Sequence, residues 1–253
     1  MTHGKDDAPL LGQLGEHFDA LAASLAAAAR AGPLAPSHVV QFAARAVPSA
    51  QHCGLTLVRP GKRPETVAAT GELPREVDAL QYACGEGPCL QASADTPESG
   101  EVVRAPDLAH DERWPGFVKL CVEQTPVRSM LGVKLILAGA DRGALNFYSE
   151  SVGNFTEVDA AMGAIFAPFA ALALQNTLHA RDVANLETAL ASSRQIGTAM
   201  GILMARQLIT SEQAFAQLSA ASQQLNRKLR DIAADVERTG QLPNMPRGPR
   251  AQS

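Results

Sequence analysis

Residues 129–148 of the chain read SMLGVKLILAGADRGALNFY. Two apolar runs, 129–137 and 144–148, lie on either side of the sequence AGADRG at 138–143. Two strand-like runs joined by a short loop that contains glycine are typical of a β-hairpin. This stretch therefore predicts two neighbouring antiparallel strands.

Further strand-like segments precede the hairpin at residues 54–58, 66–70 and 102–103, and loops rich in Gly and Pro separate them. A helical stretch at 37–46 comes before the first strand. The order of elements does not alternate as repeated βαβ units would. The sequence therefore predicts an α+β fold, in which helices flank an antiparallel sheet.

Helical patterns bracket this predicted sheet. Apolar residues recur at helical spacing through residues 10–31, a pattern that Gly32 and Pro33 end, and residues 1–9 are predicted to be disordered. Thr156 and Asp159 form a capping-box pattern that opens a second helix. Nothing forces this helix to end before about residue 207, although Pro168 permits a kink. Residues 10–176 thus form the first predicted domain, and residues 177–193 form a helical linker.

Two shorter helices follow. Thr210 and Gln213 form another capping box, and Asn226 is predicted to cap a last helix that ends near Gly240 and Pro243. The side chains predicted to face the core of this module are Ala214, Phe215, Leu218, Ala221, Leu225, Leu229, Ile232, Ala233 and Val236. Residues 194–243 thus form a small three-helix domain, and residues 244–253 are predicted to be disordered.

The composition restricts where the chain works. The net charge is −4, but residues 194–253 carry eight Lys or Arg against four Asp or Glu, which leaves −8 for residues 1–193. A basic C-terminal region permits a nucleic-acid partner. Acidic residues near the N-terminus argue against a signal peptide, and the longest apolar run, 160–174, is too short to cross a bilayer. We expect a cytoplasmic protein with no membrane partner.

The C-terminal region resembles the ANTAR domain in three motifs at fixed spacing. Residues 194–204 read RQIGTAMGILM, residues 210–215 read TSEQAF, and residues 226–233 read NRKLRDIA. Upstream, CGEGPC at 84–89 and DLAHDERWPGF at 107–117 resemble the GAF domains that precede ANTAR in actinobacterial regulators. The resemblance to the two families covers nearly the whole chain.

The resemblance to the ANTAR family implies RNA-binding transcription antitermination. In that family a dimer clamps paired hairpin loops of a nascent transcript, so that a competing terminator cannot form. By motif position, the expected RNA contacts are Arg194, Gln195, Arg206, Ser222, Asn226, Lys228 and Arg230. Cations suit phosphates, and polar groups suit the splayed bases of loops. Met200 and Ser219 stand where the family pattern often has Lys and Arg, which lowers the expected affinity for RNA.

The GAF resemblance names a fold and leaves the ligand open. Cys84 and Cys89 bracket a Gly-Glu-Gly-Pro loop that suits a redox switch, although free thiols more often behave as inert small apolar groups. With Cys121, they also invite comparison with GAF proteins that reduce free methionine sulfoxide. We expect an unknown small-molecule or redox signal, and we keep the reductase as a rival.

Other chemistry has less support. Asp107, His110, Asp111 and Glu112 hold potential metal ligands close together, but we interpret them as a polar loop. No phosphate-binding loop, dinucleotide fingerprint or nucleophile elbow occurs in the sequence, so we expect neither an enzyme nor a cofactor. A DNA-binding helix-turn-helix is the second rival, and it ranks lower because no Gly-type turn joins the last two helices and because the ANTAR resemblance points to RNA.

Overall fold

The computed structural model describes residues 32, 34–96 and 100–243. Its helices are α1 (Pro36–Ala46), α2 (Glu72–Cys84), α3 (Pro88–Ser93), α4 (Pro115–Gln124), α5 (Glu157–Gln207), α6 (Ser211–Leu225) and α7 (Leu229–Thr239). Its strands are β1 (His52–Val58), β2 (Glu65–Ala69), β3 (Val102–Ala105), β4 (Ser129–Leu135) and β5 (Arg142–Ser149). The predicted N-terminal helix at 10–31 and the predicted disorder at 1–9 and 244–253 lie outside the described residues.

The five strands form one antiparallel sheet in the order β2-β1-β5-β4-β3. The predicted hairpin is confirmed, because β4 and β5 pair along their whole length, with Leu131 opposite Phe147. Strand β5 also pairs with β1, which places Leu55 opposite Leu145. The predicted α+β fold with a helix-flanked antiparallel sheet is therefore confirmed.

Alternating side chains of the sheet build two separate cores. Leu55, Leu131 and Phe147 point to one face, where α1 and the first part of α5 cover them. Even-numbered residues of β4 and β5, among them Ala144 and Tyr148, point to the other face, against α2 and α4. This alternation follows from the two-residue repeat of a strand, and it places the polar residues of β1 and β5 on the α2 side.

The first turn of α5 is fixed as the capping pattern predicts. The backbone N–H of Thr156 donates to Oδ2 of Asp159 (2.8 Å), and the N–H of Asp159 donates to Oγ1 of Thr156 (3.3 Å). Ser49 adds a hydroxyl donor to the same carboxylate (2.9 Å). The helix then runs for 51 residues with Pro168 inside it. By length and composition alone α5 could span a bilayer, but 56% of its most apolar window is buried in the protein, as in a core helix.

The C-terminal helices have their own core, made of Ala199 and Leu203 from α5, Ala214, Leu218 and Ala221 from α6, and Ile232, Ala233 and Val236 from α7. The capping box of Thr210 and Gln213 is confirmed. The prediction that Phe215 faces this core is wrong. Successive side chains of a helix point about 100° apart around its axis. Because Ala214 faces the core, Phe215 points to the side of the helix, and it is 47% exposed.

The predicted role of Asn226 as the cap of the last helix is also wrong. Asn226 adopts the left-handed conformation (φ 48°) and ends α6, with its N–H donated to the carbonyls of Ser222 and Gln223. Asn tolerates this region better than most residues. The residue before α7 is Lys228, whose side chain makes no cap. A Gly-type turn therefore does join the last two helices, which removes the objection raised above to a helix-turn-helix.

The chain divides into two compact units between Leu178 and His179. The first unit holds the sheet and the helices around it, and the second holds the three-helix core. The domain limits drawn from the sequence at 176 and 193 stay predictions.

Candidate functional sites

A buried carboxylate lies between α2 and the sheet. Asp78 is fully buried, and its Oδ1 accepts hydrogen bonds from the hydroxyl of Tyr148 (2.5 Å) and from Nε2 of Gln81 (3.1 Å). Its Oδ2 accepts a hydrogen bond from Oγ1 of Thr66 (2.8 Å). We call the connected polar side chains here the Asp78 network, and its members are Thr56, Thr66, Asp78, Gln81, Tyr82, Asn146 and Tyr148.

Two positions of the sheet next to this network are glycines and carry no side chain. Gly54 of β1 and Gly132 of β4 both pair with Asn146 of β5, so the asparagine stands between them. A Cβ at Gly132 would lie 3.1 Å from Cβ of Ala92 and 3.2 Å from the carbonyl oxygen of Pro88. The absence of a side chain at this position therefore lets α3 approach the sheet closely.

Asn146 is the incomplete member of the Asp78 network. Its Nδ2 donates to Oγ1 of Thr56 (3.0 Å), whereas its buried Oδ1 has no partner among the described residues. Buried acceptors are nearly always paired in proteins, since an unpaired one costs about 1–3 kcal/mol. An N–H or O–H donor from a ligand or from water would satisfy this atom.

Burial controls the ionisation of the network. It raises the pKa of Asp78 to about 6, although hydrogen bonds from Tyr148, Thr66, Thr56 and Tyr82 act in the opposite direction. Burial and the nearby Asp78 charge also raise the pKa of the Tyr148 hydroxyl well above its usual value. Tyr148 therefore stays protonated and donates, while Asp78 changes its charge near pH 6.

The thiols of the CGEGPC motif lie in different environments. Cys89 is fully buried in α3, and its backbone N–H donates to Oε1 of Gln81 (2.9 Å). Burial raises the pKa of the Cys89 thiol well above its usual value, and the Asp78 charge raises it further. Cys84, at the end of α2, is half-buried, and both thiols are free. Because thiolates carry out redox chemistry, the protonated Cys89 is a poor nucleophile.

The polar loop that contains Asp107, His110, Asp111 and Glu112 is held together by contacts among its side chains and with Arg113. Oδ2 of Asp107 lies 2.7 Å from Nδ1 of His110, and both carboxylate oxygens of Asp111 accept hydrogen bonds from Arg113. The guanidinium of Arg113 also stacks on the ring of Trp114, 4.1 Å from its centroid. Within the described ranges, no group of three His, Cys, Asp or Glu side chains is placed to hold a metal ion.

A half-open cavity of about 670 Å³ lies on the opposite face of the sheet, between the β4–β5 hairpin and α5. Val133, Leu135 and Leu172 contribute apolar lining. At its rim, Lys134 and Arg142 both form ion pairs with Asp95, at 2.5 and 3.0 Å. The two cations of this rim thus share one carboxylate.

In the second unit, polar and basic side chains meet where α6 ends and α7 begins. Ser222, at the end of α6, donates its hydroxyl to the carbonyl oxygen of Arg227 (2.6 Å) and so fixes the turn. Arg227 itself is paired with Asp235 (2.7 Å). Asn226 and Lys228 are exposed on either side of it. We call the segment from Ser222 to Arg230 the α6–α7 junction.

The comparisons with known families agree with this division. Residues 37–175, more than half of the chain, match the family model of the GAF domain. The chain belongs to the GAF domain family. Residues 184–236 match the model of the ANTAR domain. The protein therefore combines a GAF domain with an ANTAR domain, the content of a signal-transducing regulator of transcription that binds RNA.

Solved structures with similar folds include other GAF domains and a reductase. The GAF domain of the phosphoenolpyruvate-protein phosphotransferase from Acinetobacter is 16% identical, with a TM-score of 0.46, over 67% of this chain and 98% of that chain. The corresponding domain from Coxiella burnetii is 20% identical, with a TM-score of 0.41, over 59% and 83%. Free methionine-R-sulfoxide reductase from Neisseria meningitidis, solved with its substrate, is 22% identical, with a TM-score of 0.40, over 55% and 74%. No curated protein matches the sequence.

The ANTAR domain places the predicted RNA contacts in two regions. Ser222, Asn226, Lys228 and Arg230 belong to the α6–α7 junction, whereas Arg194, Gln195 and Arg206 lie on α5. Nη1 of Arg206 donates to the carbonyl oxygen of Gly240 (3.1 Å), at the far end of α7 from Lys228. Among the described residues, no ion pair engages Arg194 or Lys228, while Nε of Arg230 lies 3.5 Å from Asp231.

The Asp78 network of the GAF domain was missed by the sequence analysis. A signal was present, since Asn146 and Tyr148 interrupt a strand whose neighbours Leu145 and Phe147 are fully apolar. Asp78 likewise stands beside Val77, which belongs to the buried face of α2. Polar residues at buried positions of a strand and a helix that pack together indicate a shared network.

Proposed function

We propose that this protein is a signal-responsive transcription regulator that binds hairpin loops of nascent RNA through its ANTAR domain and so causes antitermination. The observation that carries the proposal is the ANTAR match over residues 184–236, which coincides with a folded three-helix core. The α6–α7 junction supports it, because exposed Asn226 and Lys228 flank Arg227 there. Loop RNA requires such a combination of polar groups for bases and cations for phosphates.

The GAF domain is the sensor in this proposal, and its signal is a small molecule or a redox change of unknown identity. The Asp78 network is the proposed receiving site, because Oδ1 of Asn146 lacks a donor that a ligand would supply. Helix α5 begins in the GAF range and ends in the ANTAR range. A signal changes the output only if it binds the active and inactive states with different affinity.

A homodimer is part of the same proposal. The large apolar side chains Leu172, Val183, Leu186 and Leu190 of α5 are 51–61% exposed. With Asn176 and His179 they follow the alternating spacing of three and four residues that is typical of a coiled-coil seam. A second copy of α5 would bury this stripe, so dimerisation accounts for apolar side chains that otherwise face water.

We propose further that the protein works in the cytoplasm, away from membranes, as a regulator and not as an enzyme. The domains are drawn as sensor 10–176, linker 177–193 and RNA module 194–243. Against a reductase stands the burial of Cys89, which keeps its thiol protonated. An NADPH-coupled thioredoxin assay with free methionine sulfoxide tests that rival, and we expect no turnover above the background rate.

The central test starts from RNA selection. The full chain is used to select ligands from a pool of two-hairpin RNAs whose loops are randomised. A selected pair is then placed before a terminator in an in vitro transcription reaction. We expect the protein to increase read-through, and an excess of duplex DNA of the same sequence should not compete. Failure to enrich any loop, or full competition by the duplex, would contradict the proposal.

A further inference from the structure

Phe215 stands apart from the core of its module. The buried residues of α6 are Ala214, Leu218 and Ala221, and Phe215 is neither among them nor among the partly buried side chains that pack on them. Nearly half of its side chain, 47%, faces solvent. An aromatic ring that is not needed for the core is available for contact with a partner.

The ring shares one face of α6 with small polar side chains. Ser219 and Ser222 follow Phe215 at intervals of four and three residues, which places all three on one side of the helix, and Asn226 ends the helix four residues later. The face therefore runs from the ring to the α6–α7 junction, over about 16 Å at 1.5 Å per residue. Serine side chains next to the ring are too short to cover it.

We propose that Phe215 is a stacking surface for an unpaired base of the bound RNA. The inference rests on the proposed RNA-binding function and adds one contact to it. Bases splayed out of a loop stack on aromatic rings, and every base offers a flat face for this contact. Asn226 is exposed at the end of the same helix and can meet a base edge, and Lys228 follows it for a phosphate.

A protein partner fits this face less well. Stable protein interfaces bury about 800 Å² on each side around an apolar centre. The neighbours of Phe215 on its face are Ser211, Glu212, Ser219 and Ser222, which offer polar groups and no further apolar surface. One aromatic ring surrounded by small polar residues offers a stacking surface and hydrogen-bonding groups for a single base.

The test compares four variants of the full chain on RNA selected by the wild-type protein. Replacement F215A should weaken binding about 5- to 150-fold, the range that corresponds to one base–aromatic stack. Variant F215L keeps an apolar side chain without the flat ring and should also bind weakly. Variants F215Y and F215W keep the ring and should bind like the wild type. The indole of F215W should lose fluorescence when RNA is added, over the constant background of buried Trp114.

Two controls make the result specific. Ile136→Ala removes an apolar side chain that is 83% exposed in the GAF domain, and it should leave RNA affinity unchanged. Thermal unfolding should agree among the Phe215 variants, since the ring contributes little to the core.

The possible outcomes separate this inference from the proposed function. Equal affinity of F215L and the wild type overturns the stacking role while RNA binding itself stands. A change of sedimentation in F215L without RNA also overturns it, because the ring would then be a contact between protein copies. If the wild-type protein selects no RNA, the proposed function fails, and the inference fails with it.

Discussion

The hydroxyl of Tyr148 donates a 2.5 Å hydrogen bond to Oδ1 of Asp78, and this bond joins the central strand β5 to α2 inside the GAF domain. Both residues are fully buried. The bond therefore links the sheet to the helix through a group whose charge depends on pH near neutrality, since burial raises the pKa of Asp78 to about 6.

The first prediction concerns stability and pH. The pKa of Asp78 is about 6 in the folded protein against a usual 3.8, so between these values the folded state holds the proton more firmly than the unfolded state. Stability should therefore rise as pH falls from 7.5 to 5, by about 1.4 kcal/mol from this group. Asp78→Asn should remove that rise in urea unfolding.

Asp95→Asn is the matched control for Asp78→Asn. Asp95 is exposed, and hydrogen bonds from Lys134 and Arg142 lower its pKa, so its own contribution to stability is lost as pH falls. The rise between pH 7.5 and 5 should persist in this variant. A rise of the same size in Asp78→Asn would show that another group titrates.

The second prediction separates the cysteines. Alkylation of the native protein should modify Cys84, which is half-buried, and spare Cys53 and Cys89, which are fully buried. Urea should expose all of them, because the protection comes from folding. Peptide mass spectrometry reports the site, and Cys84→Ser should abolish native labelling. Equal rates at Cys89 in native and unfolded protein would revive the redox switch.

The third prediction concerns the cations of the ANTAR domain. Lys228→Ala and Arg194→Ala should weaken RNA binding without loss of stability. In a plot of the logarithm of the binding constant against the logarithm of the salt concentration, each variant should have a slope that is less steep by about 0.7. Arg59→Ala serves as the control, because Arg59 lies in the GAF domain and pairs with Glu65. Unchanged slopes in both ANTAR variants would mean that these side chains only solvate the surface.

Arg206 and Arg230 need separate treatment. We expect Arg206→Ala to weaken RNA binding and also to cost about 1 kcal/mol of stability, because its hydrogen bond to the Gly240 carbonyl is lost. Thermal unfolding distinguishes the two effects. Arg230→Ala should behave like Lys228→Ala, with a smaller change in slope, since Asp231 already offsets part of its charge.

The fourth prediction tests the dimer. Leu186→Lys should shift the protein towards monomer in sedimentation at micromolar concentration. The dissociation constant of the dimer should rise about tenfold or more, because burial of a leucine stabilises by about 1.5–3 kcal/mol. Leu208→Lys is the control, as Leu208 is 92% exposed and lies outside the stripe. A wild-type protein that sediments only as monomer, with or without RNA, would remove the dimer from the model of function.

The local elements were predictable from the sequence, because each depends on neighbouring residues. Strand-like runs between loops rich in Gly and Pro located all five strands, and the pairs Thr156–Asp159 and Thr210–Gln213 located two helix starts. The ends of the strands were predicted less accurately. Strand β4 stops at Leu135 rather than residue 137, because the pairing with β5 begins at Gly143.

Relationships between distant segments were not predictable in the same way. The Asp78 network unites α2 with β1, β2 and β5, and no spacing along the chain shows that these will meet. The prediction that Phe215 faces the core was wrong for a different reason. Phe215 is next in sequence to a core residue, so its side chain points only about 100° away from the core around the helix axis. Asn is favoured at helix starts and is also found at left-handed helix ends, and only the backbone decides which role Asn226 takes.

The strand order has a consequence for synthesis of the protein on the ribosome. Strand β1 emerges before the other four strands, yet one of its two partners is β5, and Asn146, the partner of Thr56, is synthesised 90 residues later. At about 5–20 residues per second, that delay lasts roughly 5–20 s. During this interval β1 presents an unpaired edge, which is a template for aggregation. Chains truncated before residue 142 should therefore depend on chaperones far more than the full-length protein.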